Sequence, residues 1–198
     1  MAESLRSHFF AYISKLRWLQ RWGMKRNVIA ENVMEHSWEV ATITHVLALV
    51  RNRLYGGDID VNAVVVAALY HDCNEVITGD MPSPIKYHSP EITRAYKAIE
   101  AEADRELLAL LPPALQEDYR NVLIEHHMPA DQLALIKAAD TIAAYLKCEA
   151  EVQAGNKEFS KARDDVRTRL ARIELPEVDY FMQTFAPSYR LTLDELLR

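Results

Sequence analysis

Glycine is scarce in this chain, five residues in 198, while Ala, Leu, Glu and Arg abound. A sequence short of glycine and rich in good helix formers points to an all-helical protein. No segment sustains a period-two alternation of apolar and polar residues, so no sheet is expected. Long apolar runs are missing as well: none reaches the roughly 18 residues that a membrane span requires. The opening "MAESLRSHFFAYISKLRW" is too charged and aromatic for a signal peptide. Cysteine is limited to Cys73 and Cys148, with no CxxC spacing. Both fall inside helical patterns and are expected to be reduced core thiols of a cytoplasmic protein. Positive charge is in deficit: 23 Lys and Arg stand against 29 Asp and Glu, a net charge of −6. That balance argues against a nucleic-acid polymer or an anionic membrane as partner, since both call for a broad basic surface. A small anionic substrate stays compatible, because a single pocket can be locally positive.

What is present is ordinary for a globular chain, 49% apolar and 26% charged, which excludes disorder. No repeat, low-complexity tract or Pro/Gly/Ser linker divides the sequence, so one domain is expected over residues 1–198. Helices are expected at about residues 4–19, 34–54, 61–77, 91–111, 113–126, 131–154, 157–173 and 176–185. Between the first two, "QRWGMKRNVIAENV" breaks the helical pattern with Gly23 and carries Arg21, Lys25 and Arg26, which marks a loop. Gly56-Gly57, Gly79 and Gly155-Asn156 are stop signals. Three prolines in "DMPSPIKYHSP" make that stretch a second loop.

The stretch "VVVAALYHDCNEVITGD" runs from an apolar helix into His71, Asp72, Glu75 and Asp80 without one basic residue. Burying such groups is costly unless something compensates. On a continuous helix Glu75 lies four beyond His71 and three beyond Asp72, so all three share a face. An imidazole with carboxylates in a partly dry cavity is a donor set for a divalent metal, and the ion would supply the missing positive charge. Further ligands are expected where other apolar helices are interrupted. His36 stands in the first turn of "ENVMEHSWEVATITHVLALV", and Asp140 stands among Ala, Ile and Leu in "LALIKAADTIAAYLKC". A lone carboxylate in such a setting is uncommon without a partner.

Taken in order, His36, the pair His71-Asp72 and the distant Asp140 resemble the H…HD…D signature of the HD superfamily of metal-dependent phosphohydrolases. "RW" before the first His, "ENVMEHS", "YHDCNEVITGDMPSPIK", "KAADTIAAYLKCEAE" and "EVDYFMQTFAPSYRLTLDEL" look, more closely, like the bacterial 5′-deoxynucleotidases of that superfamily. The resemblance covers nearly the whole chain and implies an all-α HD-domain helical bundle with its metal-binding core at about residues 30–145. It implies that His36, His71, Asp72 and Asp140 hold one divalent transition metal. Co²⁺ or Mn²⁺ is expected, while an N/O shell also suits Zn²⁺, Fe²⁺ or Cu²⁺. Glu75 is then placed to orient or deprotonate water, or to return a proton to the leaving 5′-oxygen. By the same resemblance Arg21 orients the phosphate and Trp22 clashes with a ribose 2′-hydroxyl. Asp80 accepts from the 3′-hydroxyl, and Met81, Pro82 and Ser83 complete the pocket wall. The implied reaction is hydrolysis of deoxyribonucleoside 5′-monophosphates to nucleoside and phosphate, by a homodimer.

Other residues carry competing readings. In "IEHHMPAD", Glu125, His126 and His127 offer ligands for a second metal, as in HD-type di-iron oxygenases; Glu125 is expected as a group backing the site and His127 as exposed. His8, His45 and His88 have no partners at suitable spacing and are expected as surface or boundary residues. Tyr180, Phe181, Phe185 and Tyr189 are expected to be core or subunit contact. The rival functions are an HD hydrolase of nucleoside triphosphates or cyclic dinucleotides, a di-iron oxygenase, and a non-catalytic nucleotide-binding module.

Overall fold

Helix starts follow the capping chemistry of the sequence. The computed structural model describes residues 6–197, with the His126 side chain outside the described set. After α1 (Phe9–Ile13) and a 3-10 segment (Ser14–Trp18), the loop leads to α2 (Val33–Leu54). There Asn32 Oδ1 accepts from the Glu35 amide at 2.9 Å while Glu35 accepts from the Asn32 amide at 3.2 Å, a reciprocal cap of the first turn. Asp60 caps α3 (Val61–Tyr70) by accepting from the Ala63 amide at 3.0 Å. Two one-turn helices follow, α4 (Glu75–Thr78) and α5 (Ser83–Lys86), then α6 (Pro90–Ala109) and α7 (Pro113–Leu123). The long α8 (Ala130–Gln153) precedes α9 (Ser160–Leu170), α10 (Pro176–Thr184) and α11 (Leu193–Leu196). Among the described residues there is no strand, only one isolated antiparallel bridge between Gln20 and Asn32. None of these helices is long and apolar enough to cross a membrane.

The differences from the expected segments have local causes. Ser4 and Leu5 of the first expected helix lie outside the described residues, and the rest tightens into a 3-10 turn after Ile13. The expected helix over residues 61–77 is broken: α3 stops at Tyr70. His71 Nδ1 takes the Ala68 carbonyl at 2.8 Å, the acceptor that an α-helix reserves for the Asp72 amide. The amides of Cys73, Glu75 and Val76 then bond three residues back instead of four, to Tyr70, Asp72 and Cys73. Glu75 therefore opens a new helix instead of sharing a face of the old one. Asn156 Oδ1 accepts from the Glu158 amide at 3.2 Å, and the next segment starts as a 3-10 turn (Lys157–Phe159) before α9. The second expected loop contains α5, opened by Pro82 and Pro84.

Two apolar clusters form the interior. The larger joins α2, α3, α8, α9 and α10 through Val40, Leu47, Val64, Leu135, Ile142, Val166 and Phe181. The smaller gathers Phe9, Leu16, Val33, Cys73, Leu107 and Leu123. Between them lies a seam. On α2 it falls between Val33 and Val40, where His36 occupies a place in the same buried row. After α3 it falls between Ala68 and Cys73, at His71 and Asp72. Both cysteines are buried free thiols, as expected. Leu47, fully buried in the larger cluster, tests the core without touching the seam. Leu47→Ala should lower unfolding free energy by about 2–5 kcal/mol in urea titrations, the usual range for a buried leucine truncation.

Candidate metal centre

The row of α2 that faces the core delivers His36 to the seam at 1% exposure. Its Nε2 stands 3.1 Å from Asp140 Oδ1, carried by α8, and 3.6 Å from Asp72 Oδ2. His71 Nε2 stands 3.1 Å from the same Asp72 oxygen. The two imidazole centroids are 5.4 Å apart. Donor atoms of His36, His71 and Asp72 all lie within 4.8 Å of one another, and Asp140 joins them from the solvent side through His36. The structure thus brings together all four residues singled out in the sequence.

Among the described residues, neither ring nitrogen of His36 has a hydrogen-bond partner, nor does His71 Nε2, although both Nε2 atoms stand within ion-pair range of the carboxylates. A buried polar atom left in that state costs about 1–3 kcal/mol. The His71 ring is oriented for a purpose: a carbonyl can only accept, so Nδ1 donates to Ala68, and in the neutral ring Nε2 keeps its lone pair facing the carboxylates. Two buried, unpartnered imidazole nitrogens opposite two carboxylates fit a divalent cation of the N/O-binding kind.

Electrostatics agree. Burial opposes charge on His71, but the Asp72 carboxylate overrides it and holds the imidazole above its ordinary value. Burial likewise opposes ionisation of Asp72, and His71, His36 and Arg21 together hold it below the carboxylate range. Without an ion, protons and Arg21 supply the positive charge. Glu75, at the start of α4, has a buried Oε2 with no hydrogen-bond partner among the described residues. Burial, then Asp72 and Asp80, push its carboxyl up to about 10, with Arg21 and Lys86 opposing.

Arg21 and Trp22 come from the loop between the 3-10 segment and α2. Arg21 Nη1 donates to Asp72 Oδ2 at 3.3 Å, and its Nε donates to Glu31 Oε2 at 3.2 Å. The same Glu31 oxygen accepts from Trp22 Nε1 at 3.0 Å. Trp22 has φ +59°, the only positive φ at a non-glycine among the described residues. For a bulky residue that conformation costs on the order of 1–3 kcal/mol and survives only where the surroundings dictate it. The indole packs edge-on against Phe159, with centroids 5.3 Å apart. On the other side, Gly79 at φ +74° turns the chain after α4, and its carbonyl accepts from Tyr96 Oη at 3.2 Å. Asp80 follows; burial raises its carboxyl while Arg21 and the Trp22 amide pull the other way. Met81 and Pro82 are half-buried and Ser83 is exposed.

Some expectations fail. Glu125 does not back the ligands: its side chain is 61% exposed and pairs with Lys137, because the chain leaves α7 in extended form at Ile124 and turns outward. The His126 side chain lies outside the described residues. His8, His45, His88 and His127 are exposed, as expected. Phe181 is core, with Phe185 packed on it at 5.4 Å, while Tyr189 is half-exposed. Two carboxylates were not identified individually from sequence. Glu31 bridges Arg21 and Trp22, and Glu39 is pushed up to about 7 by burial and by Glu31, against Arg21. Glu39 does fall three residues after His36, one helical step away, and that was the available signal.

With this geometry in hand, the likeness to known proteins is specific. A 5′-deoxynucleotidase of Vibrio vulnificus is 48% identical over 190 residues, covering 96% of this chain and 98% of that protein. The HD-domain phosphohydrolase of Listeria innocua superposes with a TM-score of 0.80 at 24% identity, over 92% of this chain and 88% of that one. A cyanophage S-2L HD phosphohydrolase, solved with dA and one catalytic Zn²⁺, superposes at 0.66 with 22% identity over 97% and 99%. Residues 8–189 match the family described as 5′-deoxynucleotidase YfbR-like, and the chain belongs to that family.

Proposed function

We propose that this protein is a metal-dependent phosphomonoesterase that hydrolyses deoxyribonucleoside 5′-monophosphates and discriminates against ribonucleotides. The observation that carries it is the set of buried, unpartnered imidazole nitrogens of His36 and His71 facing Asp72 and Asp140, in a member of a family described as 5′-deoxynucleotidases. Those four residues would hold the ion, Co²⁺ or Mn²⁺ in our reading. When bound, it supplies Lewis-acid polarisation of the phosphoryl group and a nucleophilic water near neutral pH.

The chain's own groups do the rest. Arg21 stands beside Asp72 with a planar fork suited to phosphate oxygens. Glu75, buried, with one oxygen unpartnered and its carboxyl held toward the neutral form, donates its proton to the 5′-oxygen as the P–O bond breaks. Trp22, held by Glu31 and Phe159, is the steric block against a 2′-hydroxyl. Asp80 accepts from the 3′-hydroxyl, and Met81, Pro82 and Ser83 wall the pocket. We read the whole chain as one cytoplasmic HD domain that works as a homodimer.

The test is phosphate release from dAMP and from AMP by EDTA-stripped protein with Co²⁺ or Mn²⁺ restored. Release from dAMP alone, and only with metal, is expected. Silence on both substrates overturns the reading, and equal rates on both remove the sugar filter. Glu75→Ala should retain metal by elemental analysis and lose about 10²–10⁴ in kcat, the range for a missing acid–base group; unchanged turnover would take Glu75 out of the chemistry. Because His71 is held above its ordinary pKa in the metal-free state and must be neutral to ligate, metal uptake near pH 7 should expel a proton and weaken as pH falls. Calorimetric heats of Mn²⁺ binding should then vary with the ionisation enthalpy of the buffer; identical heats in all buffers would show that no proton leaves.

A further inference from the structure

Eleven residues beyond Asp140 on α8, Glu151 is fully buried. Steps of four, three and four through Ala144 and Lys147 keep the two acids on one face of the helix, about 16 Å apart along its axis. The Glu151 carboxylate is saturated with donors. It accepts from the Val28 amide at 2.9 Å, the Ile29 amide at 3.0 Å, Asn156 Nδ2 at 2.7 Å, and Lys147 Nζ. Lys147 also donates to the Ile29 carbonyl, and Asn156 to the Arg26 carbonyl at 2.8 Å. Lys25 Nζ reaches the Glu158 carbonyl at 2.9 Å.

Every one of these bonds to the loop ends on the stretch that carries Arg21, Trp22 and Glu31. That stretch has no regular secondary structure beyond the Gln20–Asn32 bridge and the Arg21 amide bond to the Glu31 carbonyl. Its backbone groups at residues 26, 28 and 29 are satisfied by α8 and the turn that follows, where a loop would ordinarily turn to water. Burial opposes charge on Glu151, yet the bonds from Lys147, Asn156 and the two amides hold it at about 2, so it is ionised throughout the neutral range. A buried ion pair is weak evidence for stability, and a fixed arrangement of chain is its better-attested use.

We propose that Glu151 is a positioning residue for substrate recognition: with Asn156 and Lys147 it clamps residues 21–32 onto α8, in the one conformation that sets Arg21 against Asp72 and Trp22 at positive φ. The clamp acts on the sugar filter without touching substrate. This rests on the reading that Arg21 and Trp22 meet the nucleotide.

Glu151→Gln tests it in the full chain. An amide keeps the shape but turns an NH₂ donor toward one of the donors now satisfied, so the bonds cannot all be kept. Backbone hydrogen exchange, read on the metal-free and the metal-loaded protein, should speed up over residues 21–32 while α2 and α8 stay protected. In steady-state assays KM for dAMP should rise about tenfold with kcat changed far less, and the dAMP-to-AMP ratio of kcat/KM should fall, as displaced positioning groups do. Unchanged exchange over residues 21–32 overturns the clamp. So does lost activity that follows the folded fraction with the sugar ratio intact, which is what a merely structural role gives. If the wild type itself releases no phosphate from dAMP, the functional reading falls and the exchange arm alone decides the clamp. Should the glutamine variant not fold, Asn156→Ala, which removes the tie to the Arg26 carbonyl and one donor to Glu151, is read by the same measurements.

Discussion

Charge balance at the seam governs the rest of the structure. Among the described residues, three buried ring nitrogens lack hydrogen-bond partners, two carboxylates face the two Nε2 atoms, and a third carboxyl, Glu75, is forced toward its neutral form. Such a cluster is unfavourable as it stands and becomes favourable when a cation enters. The apolar clusters on either side hold the donors in place: Val33 and Val40 bracket His36, and Ala68 and Cys73 bracket His71-Asp72. The core therefore does two things with the same side chains. It stabilises the bundle, and it keeps the donors from relaxing away from one another.

Much of this is legible in the sequence itself. Apolar helical rows interrupted by one polar residue pointed to His36 and Asp140, and the abrupt end of an apolar run pointed to His71 and Asp72. Burial makes such interruptions expensive, so they carry information. What periodicity could not show was the break after Tyr70. Spacing of three and four counts equally for a continuous helix and for a chain that tightens to three-residue turns, and the decision lay in His71 Nδ1 taking the Ala68 carbonyl. Glu125 misled for the opposite reason. It sits in a stretch dense in ligand-type residues, yet its side chain is turned to solvent by the backbone at Ile124.

Glu31 and Glu151 were not singled out because each works through backbone amides or through another side chain. Nothing in a helical wheel marks a glutamate whose partners are the amides of residues 28 and 29, more than a hundred positions away. The strained Trp22 is of the same kind: its φ of +59° is a property of the folded loop. Local sequence rules describe what a segment prefers, and here tertiary bonds hold a segment in what it does not prefer.

The one-face alignment of Asp140 and Glu151 has a consequence for what the chain tolerates. Each residue added to or removed from a helix slides what lies beyond it by about 1.5 Å and turns it by about 100°. A single insertion between positions 140 and 151 would therefore point either Asp140 or Glu151 away from its partners, even if every contact on the remaining faces were repacked. The eleven-residue interval acts as a gauge block whose length is set by geometry at both ends. Past Gly155, where the helix has ended and φ is +84°, no helical register links an added residue to Asp140, so changes of length are far better accommodated there than within α8.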